Sequence, residues 1–167
     1  ARNSSTPGIV ALLLEKGAEL EARSTDGRTP LMFAAAASST PGIVQLLLEK
    51  GAEVNARNTA GKTPLMLAAV NSSTPEIVQL LIEKGAEVNA RNTDGLSPLM
   101  FAAMLSSTPE IVALLIKKGA ELEARNTDGR TPLMIAAGNS STPEIVQLLI
   151  EKGADALAKD KNGKKAI

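Results

Sequence analysis

Between Thr63 and Leu96 the apolar positions fall into two short helical patterns followed by an irregular polar stretch. Thr63 followed by Pro64 reads as a helix N-cap with proline in the first helical position, where a backbone N–H would have had no partner anyway. Leu65-Met66-Leu67-Ala68-Ala69 then predicts a helix to about Asn71, with the two alanines leaving room for a close neighbour. Ser72 and Ser73 turn the chain, and Thr74-Pro75 repeats the cap-plus-proline signal to open a second helix. Glu76 in its first turn and Lys84 in its last suit the two ends of the helix dipole. Ile77, Val78, Leu80 and Leu81 form an apolar stripe along one side. Gly85 predicts a left-handed residue that ends the helix. Beyond it, Ala86-Glu87-Val88-Asn89-Ala90 predicts an extended finger, and Asn92-Thr93-Asp94-Gly95 a tight turn with Asx and glycine chemistry.

Gly17, Gly51, Gly85, Gly119 and Gly153 carry this pattern along the chain, each 34 residues from the last. A fixed period of this size means one supersecondary unit, copied, whose apolar face is buried only by stacking on its neighbours. Helices of roughly ten residues are not stable alone in water, so packing between units has to hold them. Residue types kept at one register in every copy are therefore expected to hold the stack, and a site has to be built where the copies differ. The expected organisation is a single array over residues 1–167. It divides into a truncated first copy at 1–28, full copies at 29–62, 63–96, 97–130 and 131–164, and the start of another at 165–167.

The succession TPL, AA, IV, LL, GA, VNA and DG, read over helix, turn, helix and finger, resembles the ankyrin repeat. The likeness covers essentially the whole chain, and it implies an all-α solenoid of helix-turn-helix units, each with a finger ending in a β-turn. Two features depart from the family. Met32, Met66, Met100 and Met134 stand where the family usually has histidine after TPL, so apolar packing is expected to replace the histidine's hydrogen bonds. The turn SSTP is longer than the family's turn and accounts for the additional residue per copy. The resemblance also implies a non-enzymatic scaffold that binds a protein partner on a concave face made by the finger tips and the first helix of each unit. The near-identity of the copies and the absence of cysteine support an alternative, a designed or consensus-derived scaffold without a native partner. Asn55 and Asn89 resemble asparagines that are hydroxylated in some ankyrin proteins, but bracing of the finger backbone is the expected role.

Composition narrows the chemistry. Of the 167 residues 44% are apolar, enough to bury a core, yet the only aromatics are Phe33 and Phe101, and histidine and cysteine are absent. Histidine or thiolate metal sites, Ser-His and Cys-His nucleophile pairs and disulfides are thereby excluded. Eighteen basic and eighteen acidic side chains cancel, leaving no field to gather nucleic acid or anionic membrane. The longest apolar runs, such as Ile43 to Leu48, fall far short of the roughly 20 residues that span a bilayer. The lack of cysteine fits a cytoplasmic origin and fits a thiol-free engineered chain equally. The chain starts at Ala1 in mid-repeat, the expected look of a trimmed product.

Candidate catalytic groups have structural explanations. The hydroxyls of the Ser-Ser-Thr-Pro turns lack an activating base, and helix capping accounts for them. Glu15, Glu49, Glu83 and Glu151 recur near a helix end, on a face expected to be solvated, with no pocket to raise a pKa. Asp160-Lys161-Asn162-Gly163-Lys164 resembles a calcium loop only at its start and coincides with a finger turn. The four methionines are expected to form a buried ladder. No enzyme activity and no cofactor are expected.

The positions that vary are therefore the candidate partner-binding residues. After the turn glycine stand Arg28, Lys62, Leu96 and Arg130; after TPLM stand Phe33, Leu67, Phe101 and Ile135; and beyond the alanine pair lie Val70 and Asn71, then Met104 and Leu105. Leu96, Phe101, Met104 and Leu105 are expected to form an exposed apolar patch, with Arg28, Lys62 and Arg130 steering an acidic rim. The copies also differ in blocks, ELEAR at Glu19 to Arg23 and Glu121 to Arg125 against EVNAR at Glu53 to Arg57 and Glu87 to Arg91. Neither end carries a convincing polar cap, so apolar surface at the ends and end-to-end self-association are expected.

Overall fold

In a computed structural model, residues 6–37, 41–71, 75–105, 108–138 and 143–166 are described. Nine helices occur among them: α1 (Thr6–Glu15), α2 (Pro30–Ala36), α3 (Pro41–Glu49), α4 (Pro64–Asn71), α5 (Glu76–Glu83), α6 (Pro98–Leu105), α7 (Pro109–Lys117), α8 (Pro132–Gly138) and α9 (Pro143–Glu151). No strand occurs among the described residues. The fold is the all-α solenoid that the resemblance implies.

Each inner helix starts as its sequence dictates. The side-chain oxygens of Thr29, Thr63, Ser97 and Thr131 accept the backbone N–H of Met32, Met66, Met100 and Met134, at 3.4, 3.3, 3.3 and 3.3 Å. Each outer helix ends in a Schellman turn. At α5, Gly85 N–H reaches Ile82 O at 3.0 Å and Ala86 N–H reaches Leu81 O at 2.9 Å, with Gly85 at φ +92°. The Ser-Ser-Thr turns at 38–40 and 72–74, the serines at 106–107 and the turn at 139–142 lie outside the described residues, as do Ala1 to Asn3 and Ile167.

Inner helices α2, α4, α6 and α8 pack on one another in succession, and outer helices form a second layer, α1 on α3, α3 on α5 and α7 on α9. Between the layers runs one continuous core. Leu31, Leu65, Leu99 and Leu133 from the inner helices meet Val44, Val78, Ile77, Leu81, Ile111, Leu115, Ile145 and Leu149 from the outer ones. Within α5 the expected stripe is confirmed for Ile77, Val78 and Leu81, which are fully buried, while Leu80 is only half-buried against the core.

The methionines do form a ladder. Met32, Met66 and Met100 are fully buried and Met134 nearly so. Each of the first three is clamped between a finger alanine and the residue after TPLM of the next unit: Met32 with Ala56 and Leu67, Met66 with Ala90 and Phe101, Met100 with Ala124 and Ile135. Where the family's histidine would hydrogen-bond, apolar packing holds the joint.

The fingers depart from the extended form expected of them. Residues 88–89 are a turn, closed by Ala90 N–H on Glu87 O at 3.2 Å, and the same turn recurs in the other fingers. Beyond it the Asx chemistry is as predicted: Asn92 Oδ1 accepts the N–H of Asp94 at 3.1 Å and of Leu96 at 2.8 Å. Successive tips are then tied together. Thr93 N–H and Oγ1 both donate to Ala60 O, at 3.2 and 3.1 Å, and Thr59 makes the same pair of contacts with Asp26 O. At this crossing only glycine fits: Gly61 sits at φ +69°, and a Cβ there would lie 3.0 Å from Thr93 N.

Candidate functional site

The finger tips and the inner helices share one face, and among the described residues its grooves include two that carry most of the candidate residues. One, of about 340 Å³, is lined by Arg28, Ala36, Lys62, Leu67, Val70, Asn71 and Phe101. The other, of about 440 Å³, runs between the tips at Asp94 and Asp128, with Leu96, Met104, Met134 and Ile135 on its apolar side and Arg130 at its edge. The candidate residues are thus gathered into two sites. Phe33 lies outside both linings, and the Leu105 side chain lies outside the described residues.

The burial pattern corrects the expected exposed patch. Phe101 is only 5% exposed, and Leu67 and Ile135 are likewise buried, because each is covered by the methionine of the preceding unit. Variation at this register therefore alters the shape of a joint. Phe33, with no such methionine packed on it, is 50% exposed. Leu96 and Met104 are half-buried and bridge the Met66 and Met100 clusters, so they form a groove wall. Val70 is half-buried on the Met66 cluster, and Asn71 is exposed with its Nδ2 donating to Leu67 O at 3.0 Å.

Basic side chains lie over both phenylalanines. The Arg28 guanidinium is 5.8 Å from the Phe33 ring centre, and the Lys62 ammonium is 5.3 Å from that of Phe101, within the reach of a cation–π attraction. Arg28 Nε also lies 2.8 Å from Asp26 Oδ2. The Asp26 carboxyl is held below its ordinary pKa, chiefly by the Ser24 hydroxyl that donates to it and further by the Arg28 charge. Arg130, more exposed, has its Nε 3.9 Å from Asp160 Oδ2.

The other candidates resolve into architecture. Asp160 Oδ1 accepts the N–H of Asn162 and of Lys164, each at 2.9 Å, which is the Asx turn of its finger, and no cluster suited to a metal occurs among the described residues. Glu49, Glu83 and Glu151 each accept from a glutamine one turn earlier, Gln45, Gln79 and Gln147, at 2.8 Å. Asn55 and Asn89 brace the neighbouring unit: Asn55 Nδ2 donates to Gly85 O at 3.0 Å and its Oδ1 accepts Glu87 N–H at 2.9 Å.

A second brace escaped the sequence reading. Arg57 Nη1 donates to Arg91 O at 2.7 Å, Arg125 Nη1 to Lys159 O at 2.7 Å and Arg23 Nη1 to Arg57 O at 2.8 Å, so the arginines link each finger to the next. Arg91 adds an ion pair with Glu121 at 3.0 Å. The available signal was an arginine at one register in four copies, Arg23, Arg57, Arg91 and Arg125.

None of the helices among the described residues is long and apolar enough to cross a membrane. No curated protein matches the chain. A family model described as ankyrin repeats (3 copies) matches residues 1–92 and residues 74–160. Ankyrin repeats generally mediate protein–protein interaction. Stacked helix pairs, fingers joined at their tips and a family match over nearly the full length lead to one conclusion: the chain belongs to the ankyrin-repeat family.

Proposed function

We propose that the chain is a scaffold that binds a protein partner through the face carrying its finger tips and inner helices. The observation that carries this reading is that the non-repeated residues Arg28, Lys62, Val70, Leu96, Met104 and Arg130 line grooves of that face. Each groove combines an apolar side with charged tips, the make-up of an interface centre and its rim. The outer helices α3, α5 and α9 present instead a Gln–Glu pair each. A photo-crosslinking residue at Val70 or Arg130 should capture partner protein, and one at Gln79 should not. Capture from Gln79 alone would overturn the reading.

A second association rests on the ends of the array. Ile9 and Leu13, 56% and 55% exposed, hold the registers of Ile77 and Leu81, which are fully buried, and at the far end Leu157 is 70% exposed. These surfaces support end-to-end contact between copies. Sedimentation should show concentration-dependent association that Leu13→Lys weakens, and a monodisperse monomer at high concentration would contradict it.

A further inference from the structure

The finger tips differ in how their positive charge is balanced. Two residues before Arg28, Lys62, Leu96 and Arg130 stand Asp26, Ala60, Asp94 and Asp128, so the Lys62 tip alone among these lacks the aspartate. At the Arg28 tip the carboxylate is in place, 2.8 Å from the guanidinium. At the Lys62 tip the backbone is the same: Ala60 N–H donates to Asn58 Oδ1 at 3.1 Å, as Asp94 N–H does to Asn92 Oδ1 at 3.1 Å. Lys62 takes part in none of the ion pairs among the described residues. Its ammonium rests 5.3 Å from the Phe101 ring centre, which holds it at the groove without neutralising it.

We propose that the groove between Arg28 and Lys62 takes an aspartate or glutamate of a protein partner, set beside an apolar side chain. The carboxylate pairs with Lys62 in the place that Asp26 fills beside Arg28, and the apolar neighbour lies on Val70 and Ala36. Charge complementarity selects this occupant. The second groove has two aspartates at its tips, Asp94 and Asp128, and disfavours the same segment. This inference rests on the reading that the fingertip face binds protein.

The test is selection of a random phage-displayed peptide library on the full chain, followed by affinity measurements with the selected peptides as synthetic probes. Peptides that carry an acidic residue next to an apolar one should be enriched. Ala60→Asp, which restores the residue of the neighbouring tips, should weaken them about tenfold by occupying Lys62 internally, the loss expected of one charge pair. Lys62→Glu should weaken them at least as much, with thermal melting to verify its fold, and Lys50→Glu on the outer layer should leave them unchanged. Selected peptides without acidic residues, indifference to both Ala60→Asp and Lys62→Glu, or no selected peptide at all would overturn the proposal. Peptides that crosslink only to the Asp94–Arg130 groove would overturn it and leave the fingertip-face reading standing, whereas peptides on the outer helices would end both. Tighter binding of a single-stranded oligonucleotide at Lys62, or a dimer of the chain dissolved by Ala60→Asp, would reassign the groove and likewise overturn the proposal.

Discussion

Asn89 holds the next unit of the array with both ends of its amide, Nδ2 donating to Gly119 O at 2.9 Å while Oδ1 accepts the N–H of Glu121 at 3.0 Å. Asn55 does the same one unit earlier. At the two flanking joints the register holds glutamate, and Glu21 and Glu123 accept the N–H of Glu53 and Asp155, each at 2.9 Å. A carboxylate has no hydrogen to give the glycine carbonyl. The block difference between EVNAR and ELEAR is thus a difference in joint chemistry, with two bonds at the central joints and one at the outer ones.

Replacing Asn89 with aspartate should remove the donor and keep the acceptor, at a cost of about 0.5–1.5 kcal/mol, and alanine should cost about 1–3 kcal/mol. Both bonds are exposed to water, which favours the lower half of each range. Glu123→Asn should add the missing donor and stabilise by up to about 1 kcal/mol. Urea denaturation of the set checks the order, and equal stability of Asn89→Asp and Asn89→Ala would contradict it.

The methionine ladder should be sensitive to volume and tolerant of shape. Met66→Ala and Met100→Ala empty a fully buried site and should each cost about 2–5 kcal/mol, whereas Met66→Leu should cost less than about 1.5 kcal/mol. Thermal melting separates the two classes.

Two glycines with positive φ should respond differently to alanine. Gly85 has open space around a Cβ, so Gly85→Ala meets only the conformational penalty of about 1–2 kcal/mol. Gly61→Ala adds a collision with the Thr93 backbone at 3.0 Å and should be the more destabilising of the pair. Chemical denaturation of both variants measures the gap.

The Asp26 carboxyl should titrate below its ordinary value of 3.8, and Ser24→Ala should move that titration upward, since the Ser24 hydroxyl is the largest cause of the depression. A depressed carboxylate contributes stability above its unfolded pKa, and that contribution fades as pH falls through the folded value. Carbon-detected NMR titration follows Asp26 directly, and an unchanged titration in Ser24→Ala would contradict the assignment.

The elements that depend on neighbours in sequence were legible. Thr63 capping Met66, Gly85 ending α5 and Asn92 closing its turn all act within a few residues. Contacts one repeat away were legible only in part. The methionine ladder could be inferred from constancy of register, but the register of Asn89 changes between asparagine and glutamate, and the Arg91 carbonyl that accepts from Arg57 lies in the next finger. Phe101 shows why the site was the harder reading: a residue that varies between copies was expected to face solvent, and Met66 of the unit before covers it. The finger was expected to be extended, but local turns such as that at 88–89 satisfy its backbone instead.

Amide hydrogen exchange tests the stack most directly. The N–H groups of Glu87, Thr93, Glu121 and Thr127 donate to acceptors in the preceding unit, at Asn55, Ala60, Asn89 and Asp94. They should be protected against exchange in the folded chain, and Asn89→Ala should release Glu121 first. Exchange of all four at the rate of an unstructured peptide, with the helices still protected, would contradict an array held together at its fingers.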